Sequence, residues 1–260
     1  MKTLILSIFL FAAVLVHAQD EYVLKVHESK TLLQGENLFL THTNFNSNGN
    51  QPGALISGNR NTRYAVHGSF EFMHGITDNF EVGFVVLTNL TNTYGYHFVG
   101  GHIRPKFSAP EGWNLPFGFS LSADLGLQNQ DYFASTFGLE IRPVFDKRTD
   151  NFYISFNPAL NFSFKGIDSS SKPTFIPSFK TSFRTNDIID LGLEYYGNLN
   201  ALNTFKNVVE QKHTLFLVAD LHIDPDWVVN MGPGIGLNDA SNKIVIKLML
   251  GKRLNWSKKD

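Results

Sequence analysis

The sequence predicts a transmembrane antiparallel up-and-down β-barrel of about 12 strands, and hence an all-β protein. The first observation is that apolar and polar residues alternate with a period of two in one segment after another. The second is the abundance of phenylalanine, with 24 in 260 residues. The third is that no apolar run after residue 18 approaches the roughly 20 residues that a membrane-spanning helix needs, whereas a barrel strand needs only about 9 to 11.

Residues 1–18 are predicted to be a secretory signal peptide. Lys2 gives a basic start, residues 4–16 are almost entirely apolar, and Ala18 is a small residue before Gln19. The apolar run is too short for a typical membrane anchor. We therefore expect cleavage after Ala18 and export to the cell outer membrane.

The mature chain is predicted to consist of an N-terminal lead-in and a barrel. Residues 19–34 have a mixed composition, and we expect them to form a lead-in on the periplasmic side. The barrel is predicted over residues 35–256. The chain has no cysteine, which excludes disulfides, thiolate chemistry and a lipid attached through cysteine.

The first strand is predicted over residues 35–45, and a hairpin over residues 63–89 follows a polar loop. In this hairpin, Phe70 and Phe72 share one face, whereas Glu71 lies on the other. The chain turns at residues 75–79, where Gly, Asp and Asn favour a tight connection. The alternation then resumes with Phe80, so that each hairpin strand has one apolar and one polar face.

The later strands repeat this pattern, most clearly over residues 117–127. The remaining predictions are residues 96–107, 137–145, 151–164, 175–183, 188–196, 215–223, 228–237 and 244–254. The total is an even number of strands, as in single-chain bacterial barrels. Short and long connections tend to alternate, which is typical of periplasmic turns and external loops. Pro158 and Pro233 lie near strand centres, where proline lacks the N–H group needed for strand pairing.

If the phenylalanine face contacts lipid, the opposite face lines the lumen. Charged groups avoid hydrocarbon because Arg or Lys there costs roughly 2 to 4 kcal/mol. The predicted lumen residues are His67, Glu71, Glu81, His102, Arg104, Lys106, Asp124, Glu140, Arg142, Lys180, Arg184, Asp190, Glu194, Asp220, His222, Lys247 and Arg253. They could form ion pairs that stiffen the wall, or a polar path for a small solute. Their nearly balanced charges argue against strong ion selectivity.

Two pairs of carboxylates are candidates for acid-base chemistry. Glu71 could meet Glu81 across the hairpin, and Asp124 could reach Glu140 on the next strand. Interleaved basic residues favour ionic networks instead. The histidines show no spacing suited to metal ligands, so we predict no metal and no cofactor. A net charge of −1 gives no indication of a nucleic-acid partner.

The hairpin resembles a motif of Bacteroidetes-type outer-membrane β-barrel proteins, in particular the putative transporters of the MetA pathway of phenol degradation. The resemblance rests on Glu71 and the stretch His74-Gly75-Ile76-Thr77-Asp78-Asn79-Phe80-Glu81-Val82-Gly83, which is similar to that family's Gly-Leu-Thr-Asp-x-Leu-Glu-Val-Gly. It implies a barrel that passes small, in part hydrophobic or aromatic, compounds. Residues 257–260 add a charged tail after Trp256, a departure from barrels that end on an aromatic residue.

One enzyme motif offers an alternative. His67, Ser69 and Glu81 resemble the His-x-Ser and later Glu of outer-membrane lipid A deacylases, whose Ser, His and Glu act as nucleophile, base and orienting group. The alternation turns His67 and Ser69 toward the lumen, away from a lipid substrate. We therefore expect no enzyme activity.

The main functional hypothesis is an outer-membrane channel or transporter for small molecules. A non-conducting structural or surface-interaction barrel with a plugged lumen is the second hypothesis, and a secreted β-sandwich with buried phenylalanines is a competing fold. The expected partners are outer-membrane lipid, the barrel-assembly machinery and a small-molecule solute.

Overall fold

A computed structural model describes residues 22–47, 64–166, 169, 172–202 and 207–254. The signal peptide predicted over residues 1–18 lies outside these ranges. Twelve strands make up the fold, with the following bounds: β1 Asn37–Asn46, β2 Ala65–Thr77, β3 Phe80–Thr91, β4 Gly95–Ser108, β5 Gly118–Gln128, β6 Ser135–Arg148, β7 Phe152–Gly166, β8 Thr174–Arg184, β9 Ile189–Asn198, β10 Lys212–Leu221, β11 Trp227–Gly236 and β12 Ile244–Leu254. In the described ranges, no helix has the length and apolar character needed to cross a bilayer.

The strands form one closed antiparallel barrel in chain order, so the predicted fold class is confirmed. Each strand pairs with its sequence neighbours, and β1 pairs with β12 from Asn37 opposite Leu254 to Asn46 opposite Val245. Closure leaves no free sheet edge. The outward positions carry the exposed apolar side chains, such as Phe84, Leu121 and Phe156. The described strand phenylalanines thus mostly face outward, with Phe216 of β10 as an inward exception, and the β-sandwich alternative is wrong.

The connections divide into two sets. At one end of the barrel, here called the short-turn end, lie residues 78–79, 109–117, 149–151, 185–188 and 222–226. At the other end, the long-loop end, lie the connections that follow β1, β3, β5, β7, β9 and β11, of which the described residues are 47, 64, 92–94, 129–134, 169, 172–173, 199–202, 207–211 and 237–243. Short turns are typical of the periplasmic side of such barrels.

Prolines interrupt strand pairing at mid-depth. Between β6 and β7 the register breaks off after Ile141 opposite Leu160 and resumes at Phe145 opposite Phe156. In the continued register, Pro143 would face Pro158, and neither proline has an N–H to donate. The pairing of β10 with β11 has a similar break around Pro233, between Phe216 opposite Gly234 and Ala219 opposite Met231. The strands tolerate both prolines at the cost of local wall hydrogen bonds.

Residues 22–34, here called the lumen segment, run inside the barrel. Tyr22 lies near the long-loop end, where its backbone oxygen accepts from Ser69 at 3.1 Å. At the short-turn end, Gln34 donates its backbone N–H to Asp78 at 3.0 Å. The expectation of a periplasmic lead-in is therefore wrong for these residues. Composition could not reveal this position, because the partners are spread over the whole chain.

Apolar side chains hold the lumen segment against the inner wall. Tyr22 packs with Val85, Leu87 and Val99, together with residues of the β5–β6 loop. Leu24 and Val26 pack in a second cluster against β9, β10 and β12, a cluster that includes Tyr196, Phe216, Val218 and Val245. Burying side chains of this size contributes about 1.5 to 3 kcal/mol each. The segment is thus an integral part of the packed interior.

Gly35 connects the lumen segment to β1. Its φ of 80° lies in the left-handed region, which glycine adopts without strain. Its N–H donates to the carbonyl of Gly75 at 2.9 Å. Gly75 itself has no room for a side chain, because a Cβ there would lie 2.1 Å from the oxygen of Leu33. These contacts fix the reversal that sends the chain from the lumen into the wall.

Candidate functional site: the barrel lumen

The structure places the charged residues of the predicted lumen face toward the interior. Most are buried or nearly so and are joined to another member of the set, namely Glu71, Glu81, His102, Arg104, Lys106, Asp124, Glu140, Arg142, Lys180, Asp190, Glu194 and Lys247. His67 is also buried, with its ring 4.6 Å from that of Tyr22. Asp220 is 21% exposed. Arg184, His222 and Arg253 lie at the short-turn rim, where about two fifths of each side chain is exposed.

Arg104 is the centre of one network of charges. Its Nη1 donates to Glu71 Oε1 and its Nε donates to Asp124 Oδ1, both at 2.5 Å. His42 Nε2 lies 3.5 Å from the other oxygen of Glu71. The guanidinium therefore holds carboxylates from β2 and β5 on either side of β4. Such charge-assisted bonds are about twice as strong as neutral ones.

Arg142 extends this network across β6. It donates to Glu140 on its own strand, and its Nη1 lies 3.5 Å from Asp124 Oδ2. The register places Asp124 directly opposite Glu140, so the predicted proximity of these carboxylates is observed. Glu71 and Glu81, by contrast, face Val85 and Gly75 across the hairpin rather than each other. Arg142 joins one carboxylate pair, and the other pair does not form.

Glu194 is the centre of a second network on the opposite wall. It accepts from Lys247 and, at 2.6 Å, from the hydroxyl of Tyr196. Lys180 Nζ lies 3.1 Å from Glu194 and 2.7 Å from Asp220. Four strands, β8, β9, β10 and β12, are thereby joined through their side chains. Two cations and two carboxylates balance each other here.

The lumen segment bonds to both walls through its backbone. Its contacts are Tyr22 with Asn44 and Ser69, Leu24 with Lys247, His27 with Ser155 and Asn157, Ser29 with Asp146, Lys30 with Lys106 and Leu32 with Glu81. In most of these, a polar wall side chain replaces the strand partner that the segment lacks. The alternation of the apolar residues Tyr22, Leu24 and Val26 is the one sequence signal that could have indicated an extended segment packed on one side.

Two cavities lie on either side of the lumen segment. One, of about 680 Å³, occupies the half of the lumen near the short-turn end, and its wall includes residues 222–225 of the β10–β11 turn. The other, of about 100 Å³, extends from mid-depth toward Gln128 and Ser135 at the long-loop end. Lys25 lines both cavities. The segment thus separates two spaces that together follow the bore.

The larger cavity has a balanced charge and one apolar side. Leu38, Leu40, Met73 and Met249 form the apolar side together with Leu32 of the lumen segment. The wall carries seven basic and seven acidic residues, namely Lys25, Lys30, Lys106, Arg148, Lys180, Lys247 and Arg253 against Glu28, Glu36, Glu81, Asp190, Glu194, Asp220 and Asp224.

The hydrolase motif does not assemble into a triad. Ser69 lies opposite Leu87, whereas Glu81 lies opposite Gly75, six residues farther along β2. Six strand residues span roughly 20 Å, far beyond hydrogen-bonding distance. The Ser69 hydroxyl donates to the carbonyl of Tyr22, and Glu81 accepts from Leu32. Within the described ranges, no three His, Asp or Glu side chains are grouped to hold a metal ion.

The closed ring of 12 antiparallel strands, the apolar exterior and the charged interior define the fold of an outer-membrane β-barrel of the porin-like class. No family model matches the sequence, and a comparison with curated proteins found no match. The resemblance to the MetA-pathway family is therefore not supported by these comparisons.

Solved structures of outer-membrane barrels are similar to this one. The COG4313 outer membrane channel from Pseudomonas putida F1 has a TM-score of 0.57 and 10% identity, covering 87% of this chain and 98% of that one. The NanC porin has a TM-score of 0.53 and 8% identity over 82% of this chain and 97% of its own. The KdgM porin gives 0.51 and 9%, over 83% and 98%. At such identities the likeness shows the fold alone.

Proposed function

We propose that the protein is an outer-membrane channel for small solutes and that the lumen segment closes it in the described state. The observation that carries the proposal is the pair of cavities that follow the bore on either side of one extended segment. The solved structures with the same fold are called channels or porins, which supports this role. Lipid around the apolar belt and the assembly machinery are the expected partners.

The balanced charge of the larger cavity supports a weakly selective path. Seven basic residues face seven acidic ones, so neither cations nor anions gain a net attraction there. The apolar side around Leu40 and Met249 adds a surface for the hydrophobic part of a solute. Small neutral or zwitterionic solutes suit such a wall best.

A second candidate is a non-conducting barrel with a permanent plug. It is favoured by the density of contacts on the lumen segment, which buries Tyr22, Leu24 and Val26 and bonds along most of its length. The two candidates differ in whether the segment leaves its place. They share the same resting structure.

A reversible crosslink distinguishes the two. A Cβ at position 118 would lie 3.1 Å from the Cβ of Ser29, slightly closer than the roughly 3.5 to 4.5 Å of a disulfide. It would also lie 2.1 Å from Oδ1 of Asp146, so the end of that side chain must move aside. Because the natural chain has no cysteine, the double variant Ser29→Cys and Gly118→Cys carries the only two thiols. Each single variant is the matched control.

Solute entry is measured at neutral and at acidic pH. We expect liposomes that contain the oxidised double variant to exclude small sugars at both pH values, and to swell at one pH at least once the disulfide is reduced. Each single variant should behave alike with and without reductant, because neither can form the crosslink. If the reduced protein and both single variants admit no solute at either pH, the channel proposal fails and the permanent plug is correct. Folding of each sample is checked by its heat-dependent gel mobility.

A further inference from the structure

We propose that His27 is an acid-sensitive latch: when its imidazole takes up a proton, the lumen segment separates from the β6–β7 wall and the bore opens. The proposal rests on the proposed channel function for its last step, the opening of the bore. Its first step, release of the segment, is tested independently below.

His27 is fixed by bonds that require a neutral ring. Its side chain is buried, and its Nε2 lies 2.6 Å from Nη1 of Arg142. A guanidinium has no acceptor, so Arg142 must donate and Nε2 must carry the lone pair. If Nε2 took up a proton, this hydrogen bond would be lost. The N–H of the imidazolium and the N–H of the Arg142 guanidinium would then point at each other, and both groups would be positively charged.

The latch sits where the wall has lost its own hydrogen bonds. The backbone N–H of His27 donates to Asn157 at 2.7 Å, and its carbonyl accepts from Ser155 at 2.8 Å. Asn157 faces the position of Val144 at the proline break between β6 and β7. His27 therefore bridges β6 and β7 across the break, with Arg142 on one strand and Asn157 on the other.

The surroundings of His27 offer no free carboxylate for a charged ring. Among the charged groups, Arg142 of β6 acts most strongly on His27, followed by Arg104 of β4, Lys25 of the segment itself and Lys106 of β4, while β7 contributes the neutral Ser155 and Asn157. The nearby acids are engaged: Asp124 and Glu140 bind the two arginines, and Asp146 binds Ser29. Glu28, the next residue along the segment, is exposed.

The direction of the pH effect follows from the neutral ring. His27 lies on the lumen segment, outside the membrane-spanning strands, and burial, followed by the charge of Arg142, holds the pKa of His27 well below its usual value. The released segment has an ordinary histidine with a pKa of about 6.5. The inserted state is thus fully favoured above about pH 6.5, and each unit of acidification below that shifts the equilibrium toward release by up to about tenfold.

Release is measured with a single thiol on the segment. Val26→Cys places a small buried side chain next to the latch, and the natural chain has no other cysteine. The full-length protein in liposomes is labelled with a maleimide between pH 7.5 and 4.5. Rates are divided by those of Gly112→Cys, a position with open space around it, which corrects for the pH dependence of thiol chemistry.

We expect the corrected labelling rate to rise below about pH 6.5, by up to about tenfold per unit. His27→Gln keeps an acceptor for Arg142 but does not titrate, so its rate should stay flat. Arg142→Met removes the facing cation and leaves Glu140 without its partner, while His27 stays buried, so acid should release the segment less than in the parent. A flat profile with His27 present, or an unchanged acid response in either variant, overturns the latch. Acid labelling without solute flux supports the latch and overturns the channel proposal.

Discussion

Replacing Arg104 by leucine should remove the central charge of the first network. The guanidinium donates to Glu71 and to Asp124 at 2.5 Å each, and all three side chains are buried. Two hydrogen bonds to charged groups contribute about 1.5 to 3 kcal/mol each, and breaking a buried ion pair by removing one partner costs about 3 to 5 kcal/mol. We therefore expect Arg104→Leu to lower the free energy of unfolding by about 3 to 5 kcal/mol.

The assay is urea unfolding in lipid vesicles, followed by tryptophan fluorescence. The matched control is Arg253→Leu, because Arg253 lies at the rim, 37% exposed and 3.9 Å from Glu36. A rim ion pair of this kind contributes at most about 1 kcal/mol. Arg104→Leu leaves the carboxylates of both Glu71 and Asp124 without the guanidinium, whereas the double variant with Glu71→Gln leaves only that of Asp124. A double-mutant cycle should therefore show a coupling of about 1 to 3 kcal/mol.

The reasoning would be refuted if Arg104→Leu were no more destabilising than Arg253→Leu. That result would mean that water reaches the carboxylates of the network and solvates them. A coupling energy near zero would mean that water solvates the carboxylate of Glu71 in particular.

Further predictions concern packing and the lumen segment. Phe216→Ala should cost about 3 to 5 kcal/mol of unfolding free energy, because Phe216 is completely buried under the segment; Leu217→Ala, on the outer face, should cost less, and equal losses would argue against a packed interior. Gly232→Ala should reduce the yield of folded barrel on gels, because its Cβ would lie 1.9 Å from the Leu217 oxygen, whereas Gly112→Ala should fold normally. Asp146→Ala removes two bonds to Ser29 and should speed labelling of Val26→Cys at neutral pH by about tenfold or more; an unchanged rate would mean that Asp146 does not hold the segment.

The strands could be predicted because the environment of each face, lipid or lumen, determines whether the residues on that face are apolar or polar. In β5, Leu121 and Leu125 face outward while Ser122 and Asp124 face inward, and a two-residue period suffices to show this. Pro158 and Pro233 did not fit the predicted strands, because proline lacks an N–H for strand pairing. In the structure both lie within strands, and the strand pairing is interrupted near each of them.

The lumen segment could not be placed from the sequence. Tyr22, Leu24 and Val26 alternate like a strand, but the partner of His27 lies 130 residues away on β7. Local patterns carry no information about contacts at that separation. For the same reason, the alternation identifies the face on which Glu71 and Glu194 lie, but only the barrel register determines which cation each one meets.

The route of residues 22–34 constrains how the protein is made. A closed ring of paired strands has no side entrance, and the β1–β12 seam joins the first strand to the last. The lumen segment therefore enters either before the last strand closes the ring or afterwards through an open end of the barrel. In the first case, defects in the segment should appear as failures of barrel closure as well as faults of permeability.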